Sequence, residues 1–181
     1  VAGFSVGTDI RIGDTVCLNK YVAVISSLNH PREELTLRAC TMARTAKKKG
    51  WNQLFEEHVK VWEEKWLQSD VIIDSDIAAQ QAIRYSIFQL NQTYNGNDAR
   101  LNISPKGFTG EKYSGATRWD TEAICIPFYL CTSPQNVSKN LLLYRFRHLP
   151  KAILNAEKLG FTNGAALFPV ATFNGVESYN E

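Results

Sequence analysis

The segment Gly115-Ala-Thr-Arg-Trp119-Asp120-Thr121-Glu122 places an indole and a carboxylate side by side, at the point where a long glycine-rich stretch meets the start of a helical pattern. That position fixes side chains on a rigid element while leaving them open to a cleft. The pair suits a sugar. An indole face covers the apolar C–H face of a pyranose, and an ionised carboxylate accepts hydrogen bonds from two neighbouring hydroxyls, each contributing about 1.5 to 3 kcal/mol as a charge-assisted bond. The same residues also fit a core tryptophan beside an Asp or Thr helix cap, and residue type alone leaves both readings open.

Other candidate chemistry fails on spacing. Gly107, Gly110 and Lys112 lack the Gly-x4-Gly-Lys-Ser/Thr register of a phosphate loop, and no strand leads into them. His30, His58 and His148 are scattered, with no pair at metal spacing and no serine elbow, so zinc and acyl-transfer sites lack their parts. His148 lies on an apolar stripe and is expected to be packed. Cys17, Cys40, Cys125 and Cys131 show no redox or zinc spacing and are expected as buried, reduced thiols. Glu56, Glu57, Glu63 and Glu64 fall on the wet face of an amphipathic pattern and read as solvated charges.

The elements that must position Trp119 and Asp120 follow from composition and period. With 181 residues, 44% of them hydrophobic and 21% charged, the chain is neither disordered nor a disulfide-stapled miniature. Twenty Lys and Arg against 18 Asp and Glu leave a net charge of +2, which gives no footprint for nucleic acid or an acidic membrane. No apolar run approaches the roughly 20 residues that span a bilayer. The chain begins at Val1 without an initiator Met, and its first twenty residues lack a basic start and apolar core, so it is expected to be an internal stretch of a longer protein.

Residues 1 to about 30 alternate as strands, through Thr15, Cys17, Tyr21, Ala23 and Ile25, and should belong to a larger sheet. From Pro31 a helix is predicted to Lys49, closed by Gly50, and a second from about Asn52 to Gln68 on a stripe that includes Leu54, Val59, Trp62 and Trp66. A third begins after Ser75 or Asp76 and reaches about Gln92. Periodicity then vanishes from Thr93 to Thr117, a length that marks a functional loop. Helical pattern resumes near Trp119 and is expected to stop at Pro127. It restarts at Ser133-Pro134, breaks at Pro150 and closes at Gly160, before a turn-rich tail from Gly164.

The run Asn102-Ile-Ser-Pro-Lys-Gly-Phe-Thr-Gly-Glu-Lys-Tyr113, with Gly115-Ala-Thr and Trp119-Asp-Thr-Glu122, resembles the first active-site loop of glycoside hydrolase family 65, and in wording the maltose phosphorylases of that family. Leu141-Leu-Leu-Tyr-Arg-Phe-Arg-His-Leu-Pro150, Asn155-Ala-Glu157 and Gly164-Ala-Ala-Leu-Phe-Pro169 fit the same family in the same order, so the match runs from about Tyr21 to Glu181. Arg118 departs from it, standing where the family usually carries an aromatic.

The resemblance implies a mixed, mainly α fold: residues 1–31 as the end of an N-terminal β-sandwich, 32–70 as a helical linker, and 71–181 as the opening helices of an (α/α)6 toroid. It implies an inverting disaccharide phosphorylase, cleaving an α-glucosidic disaccharide with inorganic phosphate to β-glucose 1-phosphate and glucose. Trp119 and Asp120 match the residues that hold the glucosyl unit. No cofactor or metal is implied, phosphate being the co-substrate, and the family commonly forms homodimers. Phosphate is already an anion near neutral pH, so a phosphorylase needs one protonated carboxylate and cationic donors but no general base. In the family that acid lies in a Gly-x-Asp-Glu-Tyr-like segment, which does not occur here, so no catalytic residue is assigned and the isolated chain is expected to be inactive. A non-catalytic sugar-binding module and an inverting glucoside hydrolase are the competing expectations.

Overall fold

In the computed structural model the described residues are 5–105, 107 and 115–178, so Lys106 and the motif residues 108–113, including Gly110 and Lys112, lie outside the description. The chain divides into two units, Val1–Val61 and Trp62–Glu181.

In the first unit, residues 5–30, whose alternation predicts strands of a larger sheet, form no strand. The alternation is real, but Val16, Val22 and Val24 remain largely exposed. An extended segment gains a ladder only from a neighbour, and none of the described residues supplies one. A 3-10 turn at Arg32–Glu34 leads into helix α1 (Leu35–Ser69), which is broken at Gly50. With φ 80° and ψ 169°, Gly50 occupies a region essentially closed to residues with a Cβ, so the two predicted helices meet at this residue. Lys49 Nζ donates across the break to both oxygens of Glu57, at 2.8 and 2.7 Å, and Gln53 donates to the same carboxylate.

The second unit opens with the last turns of α1, where Trp62 stacks on Phe88 at 5.0 Å. Helix α2 (Ile77–Thr93) begins as predicted: the Asp76 carboxylate accepts the Ala79 N–H at 2.9 Å. Asn91, buried on α2, donates to Ser69 Oγ and to the Ile87 carbonyl. Three helices follow the long loop: α3 (Thr121–Thr132), α4 (Gln135–Arg147) and α5 (Leu149–Lys158).

Pro127 does not stop α3, which corrects the predicted stop there. Proline removes one backbone donor, yet α3 packs along α4 and buries Tyr129 to 1% exposure, and that packing outweighs the lost bond. Pro150 falls in the first turn of α5, where its missing N–H costs nothing. The core gathers Tyr94, Ile103, Cys125, Tyr129, Val137 and Leu141, with the Tyr129 hydroxyl donating to the Leu90 carbonyl at 2.8 Å. Thiol burial is also corrected: Cys125 is buried, but Cys17, Cys40 and Cys131 are exposed, and all four are free.

Two strands too short to announce themselves by period, β1 (Thr117–Arg118) and β2 (Ala171–Thr172), pair antiparallel, Thr117 opposite Thr172 and Arg118 opposite Ala171. They tie the end of the loop to the tail.

Candidate functional site

The sequence from Thr117 to Glu122 is held from three directions. β1 is pinned to β2, and the Trp119 N–H extends the pairing to the Val170 carbonyl at 3.2 Å. Behind it, Glu122 in the first turn of α3 accepts from Asn102 Nδ2 at 2.7 Å and from Arg145 Nη2 of α4 at 2.8 Å. Arg145 also donates to the Arg118 carbonyl at 2.6 Å, so one guanidinium couples α4, α3 and β1. Both partners of the Glu122–Arg145 pair are largely buried, 12% and 13% exposed. The tail strand is fixed in turn by Glu177, whose carboxylate accepts the Val170 N–H at 2.6 Å.

In front of this scaffold lies a cavity of about 770 Å³, roomy enough for a disaccharide unit. Gln89, Ser104, Arg118 and Asp120 give it a polar wall, and Ile103 and Ile124 an apolar one. Gly107 closes one side, and a Cβ there would stand 2.9 Å from Thr93 Oγ1.

Asp120 immediately precedes α3 yet makes no side-chain cap bond, and its backbone is already helical (φ −94°, ψ −1°). The helix-cap reading of this residue is therefore not realised, and Asp120 lines the cavity. Trp119 is not sealed in a core: it is 59% exposed, and it is not among the residues lining that cavity. Asp120 and Trp119 are thus both accessible, but only Asp120 borders this space.

Burial sets the electrostatics around it. The Cys125 thiol is pushed up by burial and further by the nearby Glu122 and Asp120 carboxylates, which keeps it protonated and inert. Tyr94 in the core is pushed up to about 12 by burial, with Asp98 and Glu122 adding to it. Among the described residues no group of His, Cys, Asp and Glu is placed to hold a metal ion, and no helix is long and apolar enough to cross a membrane.

Ser104 and Gln89 carry no sequence signal that marks them for this cavity. They reach it because the loop after α2 folds back on that helix. Arg118 stood out only by differing from the resembled pattern.

The comparisons agree on a lineage. Residues 84–181 match the model of the glycosyl hydrolase family 65 central catalytic domain, and residues 2–65 that of the family's N-terminal domain. The maltose phosphorylase of Bacillus subtilis (strain 168) is 48% identical over 91% of this chain, which spans 21% of that protein. The alpha,alpha-trehalose phosphorylase of Thermoanaerobacter brockii is 34% identical over 91% of the chain, again spanning 21% of the relative. A solved structure described provisionally as a kojibiose phosphorylase from human microbiome superposes with a TM-score of 0.75 at 37% identity, covering 84% of this chain and 21% of its own. With the central-domain model alone matching more than half of its residues, the chain belongs to glycosyl hydrolase family 65.

Proposed function

We propose that this chain supplies part of the glucosyl site of an inverting disaccharide phosphorylase, with maltose as substrate, inorganic phosphate as co-substrate and no further cofactor. The observation that carries the reading is that Asp120, its carboxylate free of any capping bond, lines an open polar–apolar cavity. Asp120 accepts hydroxyls of the glucosyl unit, and the exposed indole of Trp119, one residue before it, offers an apolar platform to a sugar face. The general acid that protonates the leaving oxygen and the groups that bind phosphate come from other segments of the enzyme. Inversion follows, because phosphate attacks from the face opposite the bond that breaks. The choice of maltose rests on the higher identity to the Bacillus subtilis protein than to the trehalose relative. A cytoplasmic homodimer belongs to the same reading.

The test is kinetic and uses the full-length enzyme. Asp120→Ala should lower kcat/KM for maltose phosphorolysis on the order of a hundredfold, since one charge-assisted contact is lost and one sugar hydroxyl is left without a partner. Unchanged turnover would sink the assignment of Asp120. Release of glucose from maltose in phosphate-free buffer would instead make the enzyme a hydrolase.

A further inference from the structure

The geometry points to Arg118 as a second polar determinant of this cavity, its guanidinium donating to an oxygen of the same hexose unit whose hydroxyls Asp120 accepts. The inference rests on the proposed glucosyl site and adds to it a residue that fixes which hydroxyl pattern fits.

Arg118 lies on β1, and its backbone is occupied on both sides: it pairs with Ala171, and its carbonyl accepts from Arg145. The side chain is different. Nε is buried and has no hydrogen-bond partner, although a guanidinium N–H out of water without an acceptor is costly. The nearest charge in sequence is Asp120, two residues on and lining the same cavity, yet among the described residues no ion pair joins them. An always-charged donor and a carboxylate acceptor thus border one space without neutralising each other. Ser104, whose Oγ is buried and likewise unpartnered, lines the same cavity. A vicinal diol satisfies this arrangement: one hydroxyl donates to Asp120, and the oxygen of its neighbour accepts from Arg118. A purely apolar ligand would leave both groups stranded.

The experiment measures kcat/KM of the full-length enzyme for maltose and for maltose analogues with single hydroxyls deleted on the non-reducing glucosyl unit. In the parent enzyme each contacted hydroxyl costs about tenfold to a hundredfold when deleted. Arg118→Met should abolish that penalty at one position and leave the positions read by Asp120 unchanged, while Asp120→Ala should do the reverse. If Arg118→Met does not fold, Arg118→Lys is read in the same panel with the same expected loss at one position, because lysine carries no donor at the Nε place. A parental pattern in the folded Arg118 variant overturns the inference, whatever its thermal midpoint. Parental patterns in both the Arg118 and Asp120 variants would remove the underlying glucosyl site as well, so the two failures are told apart.

Discussion

Glu122 holds three elements together through its two oxygens, and its removal should be felt far from the cavity. Asn102 and Arg145 each donate to it, and Arg145 continues to the Arg118 carbonyl while its guanidinium lies 5.8 Å from the Phe168 ring. Breaking a buried pair by deleting one partner strands the other charge, at a cost of about 3 kcal/mol or more. Glu122→Leu should therefore lower the thermal midpoint of the full-length enzyme and its activity together. A variant that keeps its midpoint and loses only activity would show that Glu122 acts on substrate rather than on the scaffold. A second residue-scale expectation concerns His148, packed edge-on against Tyr144 at 4.5 Å. Burial holds its pKa below the ordinary imidazole value, and the Lys151 and Arg145 charges push the same way, against a weaker opposing bond with the Tyr144 backbone. The unfolded chain then binds a proton that the folded one refuses, so stability rises with pH across this range. Folded-state stability should fall as the pH drops below about 6.5, levelling once the depressed folded value is passed. His148→Gln should flatten that dependence in denaturant titrations at stepped pH, and an unchanged slope would assign the dependence elsewhere.

At the scale of elements, the close approach of the long loop to α4 decides whether the site is held in place. Gly96 has φ +70°, and a Cβ there would fall 2.5 Å from the Val137 Cα, a backbone atom that cannot swing aside. Asn140 Nδ2 clamps the same point by donating to the Gly96 carbonyl at 2.6 Å. Gly96→Ala combines a strained backbone with overpacking and should cost on the order of 3 kcal/mol. It should also weaken maltose binding, because α4 carries Arg145; a normal midpoint with normal KM would show that the loop and α4 can separate freely. Contacts of this kind explain what was legible in the sequence. The Asp76 cap, the Gly50 break and the interruption near Pro150 are local signals, each written within four residues of where it acts. The β1–β2 pairing was not legible, since two residues carry no period and their partners stand more than fifty positions apart. Pro127 misled for the opposite reason: a local rule was overridden by packing that period alone does not weigh. Asp120 could be named from its chemistry and the resemblance, whereas Arg118 and Ser104 border the cavity only because the fold brings them there.

For the whole molecule, the decisive quantity is the apolar surface left uncovered. Ile77 on α2, Ile124 on α3 and Phe146 on α4 are 87%, 69% and 68% exposed, and Leu67 near the end of α1 is 87% exposed. Leu141 is fully buried in the core, so α4 turns one side inward and leaves the other bare. Large apolar side chains exposed on several helices are the usual mark of surfaces that another part of a protein covers. As an isolated 181-residue polypeptide the chain should therefore self-associate in sedimentation velocity and enhance the fluorescence of a dye that binds apolar surface. It should also leave maltose untouched in phosphate buffer, because the proposed glucosyl site without a proton donor would stabilise no leaving group. A compact, dye-silent monomer would show that these faces need no cover. Phosphate-dependent consumption of maltose by that monomer would show that the acid lies within these residues, and Glu122 and Asp120 would then be the first carboxylates to exchange for their amides.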